Sequence, residues 1–347
     1  MTAANAYAAS SPGSVLAPFQ IDRREPGPHE VLIDIQYCGI CHTDIHMARG
    51  ELPGQLFPLV PGHEIVGRVR EVGAAVRRHA IGDLVGVGCL IESCRTCDEC
   101  QAGQEQFCDR RISTYGRYEK DGVTPAYGGY STSITISEDF ALRIPSSLDP
   151  AATAPLLCAG ITTFSALRHW NTCNGSTIGV VGLGGLGHMA VKLAAAMGAD
   201  VTVLSTSEGK REDGLRLGAG DFIANRKQGA LSRRAGQFDL VLNTVSASLD
   251  LDAYLTLLRR DGTLVMLGVP DKPLALNAMQ LLQRRKGIAA SPIGGIQETQ
   301  EMLDFCAQHR IGADVEVIRM EDVNKAYGRV LDGDVRYRFV IDIDSLR

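Results

Sequence analysis

The chain has 347 residues, of which 45% are hydrophobic and 22% charged, with a formal net charge of −5. That length predicts two domains, each with its own core, and the acidic balance gives no basic footprint for nucleic acid or an anionic membrane. No run of about eighteen apolar residues exists to span a bilayer, and MTAANAYAASSPGSVLAPFQ lacks the regions of a signal peptide, so the expected compartment is the cytoplasm.

Residues 29 to 145 read as β-rich. HEVLIDIQYCG, GRVREVG, GDLVGVGCL and YSTSITI alternate or run apolar between frequent Gly and Pro. From about residue 150 the texture becomes strand, Gly-rich turn, helix, strand. STIGVV, VTVLSTS, FDLVLNTV and GTLVMLGV are the strands, with GHMAVKLAAAMG and LDAYLTLLRR as helices, the rhythm of a parallel sheet. QETQEMLDFCAQHR then reads as an amphipathic helix and YRFVIDI as a closing strand. The predicted class is α/β: a β-rich part, a doubly wound part, and a short return.

Ten cysteines are many for a reducing compartment, where clusters point to metal. Cys94, Cys97, Cys100 and Cys108 follow C-x-x-C-x-x-C-x-x-x-x-x-x-x-C. Two intervening residues let neighbouring thiolates face one ion, and four thiolates leave no open position, so the site reads as structural zinc. An iron–sulfur cluster is the rival, but its motif continues C-x-x-x-C-P and here Asp109 follows Cys108.

The stretch CGICHTDIH carries Cys38, Cys41, His42 and His46 within nine residues, without the dozen or so residues that a zinc finger folds around. A second site must instead be assembled from distant residues. PGHEIVG offers His63 and Glu64, and PLLCAGITTF offers Cys158. With Cys41 these make Cys, His and Cys, leaving a fourth position for water, substrate or Glu64, the pattern of catalytic zinc. Taken singly, such a histidine or cysteine reads as packing, and Cys38 reads as a buried small hydrophobe.

GLGGLG supplies G-x-G-x-x-G through Gly182, Gly184 and Gly187, with Leu183, Gly185 and Leu186 between them. It follows a strand and opens a helix, the context of a dinucleotide site. Gly182 permits the tight turn, Gly184 the approach of the pyrophosphate, and Gly187 close helix–strand packing. After the next strand, where NAD sites carry an acid, stand Ser205, Thr206, Ser207 and Lys210. Hydroxyls and an ammonium suit a 2′-phosphate, so NADP(H) is expected over NAD(H). A Ser207 helix cap beside a solvated lysine is the bland alternative.

CGICHTDIH, PGHEIVG, the four-cysteine lobe, LLCAGITT, VVGLGGLGH and LSTSEGK, in that order, resemble the zinc-dependent medium-chain alcohol dehydrogenases over nearly the whole chain. The resemblance is nearest to the cinnamyl-alcohol-dehydrogenase and NADPH-dependent aldehyde reductase branch. It implies a GroES-like catalytic domain at 1–150 with a zinc lobe at about 89–112, a Rossmann domain at 151–290, and a return segment at 291–347. It implies two zinc ions: a catalytic one on Cys41, His63 and Cys158 with Glu64 as neighbour or transient ligand, and a structural one on Cys94, Cys97, Cys100 and Cys108. Polyol dehydrogenases commonly have glutamate where Cys158 stands, which disfavours that substrate class.

The resemblance further implies that Thr43 relays a proton through the cofactor ribose to His46, that Asp44 fixes the tautomer of His63, and that His42 contacts the pyrophosphate. Thr244, Gly268, Ser291 and Ile293 match cofactor-touching segments; SPIGG departs from the usual S-F-I-G-S at Pro292. The expected activity is interconversion of primary alcohols and aldehydes by a broad-range reductase, with Leu52, Phe57 and residues near 115 and 291 in the substrate pocket. A homodimer is expected, with a tetramer as alternative. An NAD-dependent alcohol or polyol dehydrogenase is the rival enzyme, and a zinc-ribbon binding module with a vestigial Rossmann domain the rival outside catalysis.

Overall fold

HEVLIDIQYCG becomes the strand Glu30–Gly39, in which Val31, Leu32, Ile33 and Ile35 are all buried because both faces of the strand are covered. In this computed structural model, which describes residues 1–226, 229–270 and 272–347, that strand is central to the first of two compact units. It pairs antiparallel with Ile65–Val72, with Ser133–Ser137, and with Arg338–Asp342 near the end of the chain. Leu84–Val87, Leu142–Arg143 and Val315–Arg319 extend the same sheet to seven strands. The closing strand YRFVIDI thus belongs to the β-rich part.

The units are 1–161 with 294–347, and 162–293. The first junction falls later than the position 150 read from sequence texture. The short helix Pro150–Thr153 and the 3-10 turn Ala154–Leu157 pack under the strands of the first sheet, with Leu156 and Leu157 buried.

The second unit is a six-stranded parallel sheet. Its order is Asp221–Ala224, Asp200–Ser205, Thr177–Val181, Phe238–Asn243, Leu258–Met266, Gly287–Ala290, running outward both ways from Thr177–Val181. This is the doubly wound arrangement. Its inner strands bury apolar side chains throughout, Val180, Val203, Val241 and Val265 among them, as parallel strands covered on both faces must.

Three local features go beyond or depart from the sequence reading. Thr2–Ala8 and Ala17–Arg23 form an antiparallel pair that their small and polar residues did not announce. GDLVGVGCL splits into Leu84–Val87 and Leu90–Glu92, which pair with different strands. LDAYLTLLRR is helical only over Leu251–Leu257; Leu258, Arg259 and Arg260 already belong to the next strand. Among the described residues no single helix is long and apolar enough to cross a membrane.

Candidate active site

Cys41 is the N-cap of the helix His42–Ala48. Asp44, the third residue of that helix, reaches back so that its Oδ2 accepts the Cys41 N–H at 2.8 Å. Its Oδ1 accepts the Gly62 N–H at 3.1 Å, the His63 Nδ1 at 3.1 Å and the Tyr115 hydroxyl at 2.6 Å. Gly62 makes this possible: its φ is +105°, and a Cβ there would meet the Cys38 Sγ, the Gly129 N and the Tyr130 ring at 2.8 Å. One fully buried carboxylate therefore fixes both the Cys41 backbone and the His63 ring.

Cys158 follows the turn Ala154–Leu157, and its Sγ lies 3.9 Å from the Cys41 Sγ. With His63 and Glu64 they bring four ligand atoms within 4.8 Å of one another, all on buried residues of the first unit. The Cys158 thiol holds Cys41 well below the usual thiol range, and Cys41 in turn pushes Cys158 well above it. Burial disfavours charge on His63, but the Asp44 carboxylate overrides it and raises the imidazole well above its ordinary value. Burial likewise raises Glu64 to about 7, against the opposing pull of Arg338.

Arg338 donates to Glu64 Oε1, while Glu64 Oε2 has no hydrogen-bond partner although it is buried. A Cβ at Gly39 would stand 2.0 Å from that oxygen, so the glycine is what makes room for the carboxylate.

A second group lies in the same unit. Cys94, Cys97, Cys100 and Cys108 also bring their sulfurs within 4.8 Å, with Cys94 and Cys100 at 3.9 Å. The turn that gathers them places Arg95 at φ +62° and aims the Cys97 N–H at the Cys94 Sγ, 3.3 Å away. Backbone N–H groups of Thr96 and Cys97 pull Cys94 down to about 5. Cys97, helped by the Cys100 N–H but opposed by the neighbouring thiols, is pushed up to about 12. Four thiols so close do not all ionise without a cation.

In the second unit the strand ends are level: Val181 is paired with Leu204 and Asn243, Asn243 with Met266, and Met266 with Ala290. Gly182, Ser205, Thr244, Gly268 and Ser291 therefore leave the sheet at one edge. Gly182 has φ +88°; a Cβ on Gly187 would meet the Gly182 carbonyl at 2.1 Å; and a Cβ on Gly184 would meet nothing within 4 Å. Lys210 Nζ donates to the Leu183 carbonyl at 2.8 Å, which ties the 3-10 turn Glu208–Lys210, beyond the strand Asp200–Ser205, to the glycine turn. Thr244 Oγ1 donates to the Val181 carbonyl at 2.7 Å. Gly268 is required by its own chain, because a Cβ there would stand 2.4 Å from the Val245 carbonyl. Ser207 makes no side-chain cap. Thr206 is exposed, and Ile293 half-buried.

Cys38 is buried outside both groups, its thiol facing the Gly39 carbonyl. Thr43 and His42 are exposed, and His46 carries a contact from Glu51 to its Nδ1. Glu51 and Arg338 had no part in the sequence reading of the site, and position 115 entered it only as part of the expected substrate pocket, whereas the structure sets Tyr115 against Asp44 and His63. Each comes from a segment with no motif of its own.

Residues 27–146 match the alcohol dehydrogenase GroES-like domain and residues 185–308 the zinc-binding dehydrogenase domain. The two units with their buried Cys/His group and glycine edge are those of an oxidoreductase. The chain is 55% identical over its whole length to NADP-dependent alcohol dehydrogenase C 1 of Mycolicibacterium smegmatis, all of which it covers. It is 52% identical to the aldehyde reductase YahK of Escherichia coli, over 99% of this chain and 98% of that one. A cinnamyl alcohol dehydrogenase from Sorghum bicolor superposes with a TM-score of 0.96 at 41% identity, covering 99% and 98% of the two chains. The CAD of Helicobacter pylori, complexed with NADP(H), gives 0.93 at 39% identity with the same coverage. The chain belongs to the zinc-dependent medium-chain alcohol dehydrogenases, in the cinnamyl-alcohol-dehydrogenase and aldehyde-reductase branch. It is an enzyme, and the alternative of a zinc-ribbon binding module falls.

Proposed function

We propose that the enzyme interconverts primary alcohols and aldehydes with NADP(H), acting as a broad-range aldehyde reductase on aromatic and aliphatic substrates. The observation that carries this is the convergence of Cys41, His63, Glu64 and Cys158. Two sulfurs held by zinc at about 2.3 Å in tetrahedral geometry stand about 3.8 Å apart, and Cys41 and Cys158 stand at 3.9 Å. The orphaned Glu64 Oε2 is a further buried donor atom suited to a cation. Cys94, Cys97, Cys100 and Cys108 fit a second zinc, with no position left for substrate.

Zinc, when bound, supplies a Lewis acid, and NADPH the hydride. Asp44 orients His63, and Arg338 balances the charge of Glu64. Thr43 and His46 lie three residues apart on the helix His42–Ala48 and so share one face. On that face Thr43 would give the product oxygen its proton in the reducing direction and His46 would resupply it, with His42 placed to meet the pyrophosphate of a bound cofactor. Gly182 to Gly187 receive the pyrophosphate, supported by the room above Gly184. Ser205, Thr206, Ser207 and Lys210 receive the 2′-phosphate, and Thr244, Gly268, Ser291 and Ile293 flank the nicotinamide half. Leu52 and Phe57 contribute to the substrate pocket.

The working assembly is a cytoplasmic homodimer. The strand Gly287–Ala290 ends its sheet, and the same unit exposes Val269, Leu274, Leu276, Met279 and Leu282, an apolar surface of the kind that subunits cover. All ten cysteines are free thiols, which suits a reducing compartment. A panel of aromatic and aliphatic aldehydes, assayed with NADPH and NADH, tests the activity. Turnover of several aldehydes with NADPH preferred is expected; no turnover, or preference for NADH, would overturn it.

A further inference from the structure

We infer that Tyr115 is a positioning residue for His63, acting on the imidazole both directly and through Asp44; the inference rests on the proposed reading of His63 as a zinc ligand. Tyr115 follows the strand Ile112–Ser113 and is only 3% exposed. Its place is set one residue earlier: the Thr114 hydroxyl donates to the Gly88 carbonyl at 2.5 Å and the Thr114 N–H to the Cys89 carbonyl at 3.1 Å.

From there the phenol touches both members of the Asp44–His63 pair. Its hydroxyl donates to Asp44 Oδ1 at 2.6 Å, closer than the Gly62 N–H or the His63 ring on the same oxygen. Its ring stacks on the imidazole, with centroids 5.8 Å apart and 27° between planes. Because Nδ1 of His63 faces Asp44, Nε2 is the nitrogen left to ligate, and the tautomer depends on where the carboxylate points. Asp44 is fully buried, and the donors on it are N–H and O–H groups rather than an Arg or Lys.

Loss of the Tyr115 hydroxyl takes away the shortest of those bonds. The carboxylate then turns toward its backbone donors at Cys41 and Gly62, and its hold on the imidazole loosens. Tyr130 is the internal comparison: its hydroxyl is 3.5 Å from Asp44 Oδ2, too long to carry the same weight.

The experiment is zinc release to a chromogenic chelator, together with the visible spectrum of the cobalt-substituted enzyme, for Tyr115→Phe, Tyr115→Leu, Tyr130→Phe and His63→Ala. Tyr115→Phe should release one of its two zincs about tenfold faster than wild type and shift the cobalt bands. Tyr115→Leu, which also removes the stack, should release it faster still, and Tyr130→Phe should resemble wild type. The slow release of the other zinc reports that each variant is folded. If His63→Ala loses one zinc while Tyr115→Phe and Tyr115→Leu keep the wild-type release rate and spectrum, the role of Tyr115 is overturned. If His63→Ala keeps both zincs, the ligand assignment fails and the inference with it.

Discussion

Arg338 donates to Glu64 across 274 positions of the chain, and both side chains are sealed from solvent, 7% and 0% exposed. The guanidinium is raised further by its acidic neighbours despite its burial, so it stays charged and balances the carboxylate. Removing one member of such a pair strands the other. Arg338→Met should therefore cost about 3–5 kcal/mol of stability, measured by urea unfolding. The double variant Arg338→Met with Glu64→Gln should recover a large part of it. A single variant as stable as wild type would mean that Glu64 does not need its partner.

Thr43→Ala removes the hydroxyl at the head of the proposed proton path without touching a sulfur or the His63 ring. Turnover should fall by about 10²–10⁴, the usual weight of a positioned proton-transfer group, with zinc content unchanged. Steady-state kinetics with metal analysis decide the matter. An unaffected kcat removes Thr43 from the path.

Lys210→Ala should lower the preference for NADPH over NADH by about 10–100-fold, in keeping with a charged hydrogen bond of about 1.5–3 kcal/mol. The effect should appear in kcat/KM for NADPH and spare that for NADH. Equal losses with both cofactors would instead assign Lys210 to holding the glycine turn through the Leu183 carbonyl.

Cys100→Ser should remove the zinc of the four-cysteine lobe and loosen more than the lobe itself. Glu105, inside that loop, accepts the N–H of Ile296 at 3.0 Å and so caps the helix Ile296–His309. Hydrogen exchange at residues 296–300 should quicken in the variant. Unchanged exchange after loss of the zinc would separate the lobe from the helix.

Much of this was legible in the sequence where local spacing carries the chemistry. Cys94 to Cys108 gather because two-residue gaps turn neighbouring thiols to one point. Gly182 to Gly187 read clearly because a turn, a close approach and a helix start demand glycine at fixed offsets. Asp44 could be recognised only through resemblance, although its place in the first helical turn is a capping pattern. Arg338 and Glu51 were not legible, and position 115 was legible only as a place near the substrate pocket, not as a partner of Asp44. Arg338 reaches Glu64 through a strand contributed by the far end of the chain, and RYRFVIDI carries no sign of it beyond strand alternation. Tyr115 sits in a loop whose hydrogen bonds to Gly88 and Cys89 have no short-range pattern. The helix Leu251–Leu257 was overrun in the sequence reading because Leu and Arg suit helices well, while the sheet took Leu258 and Arg259 as a strand.

The most direct test is to count zinc and measure NADPH-dependent aldehyde reduction in the wild type and in Cys158→Ala. Wild type should hold two zincs per chain, and the variant one, with turnover abolished and the melting profile preserved. Both zincs and full activity surviving in Cys158→Ala would contradict the assignment of Cys41, His63 and Cys158 as the catalytic metal site.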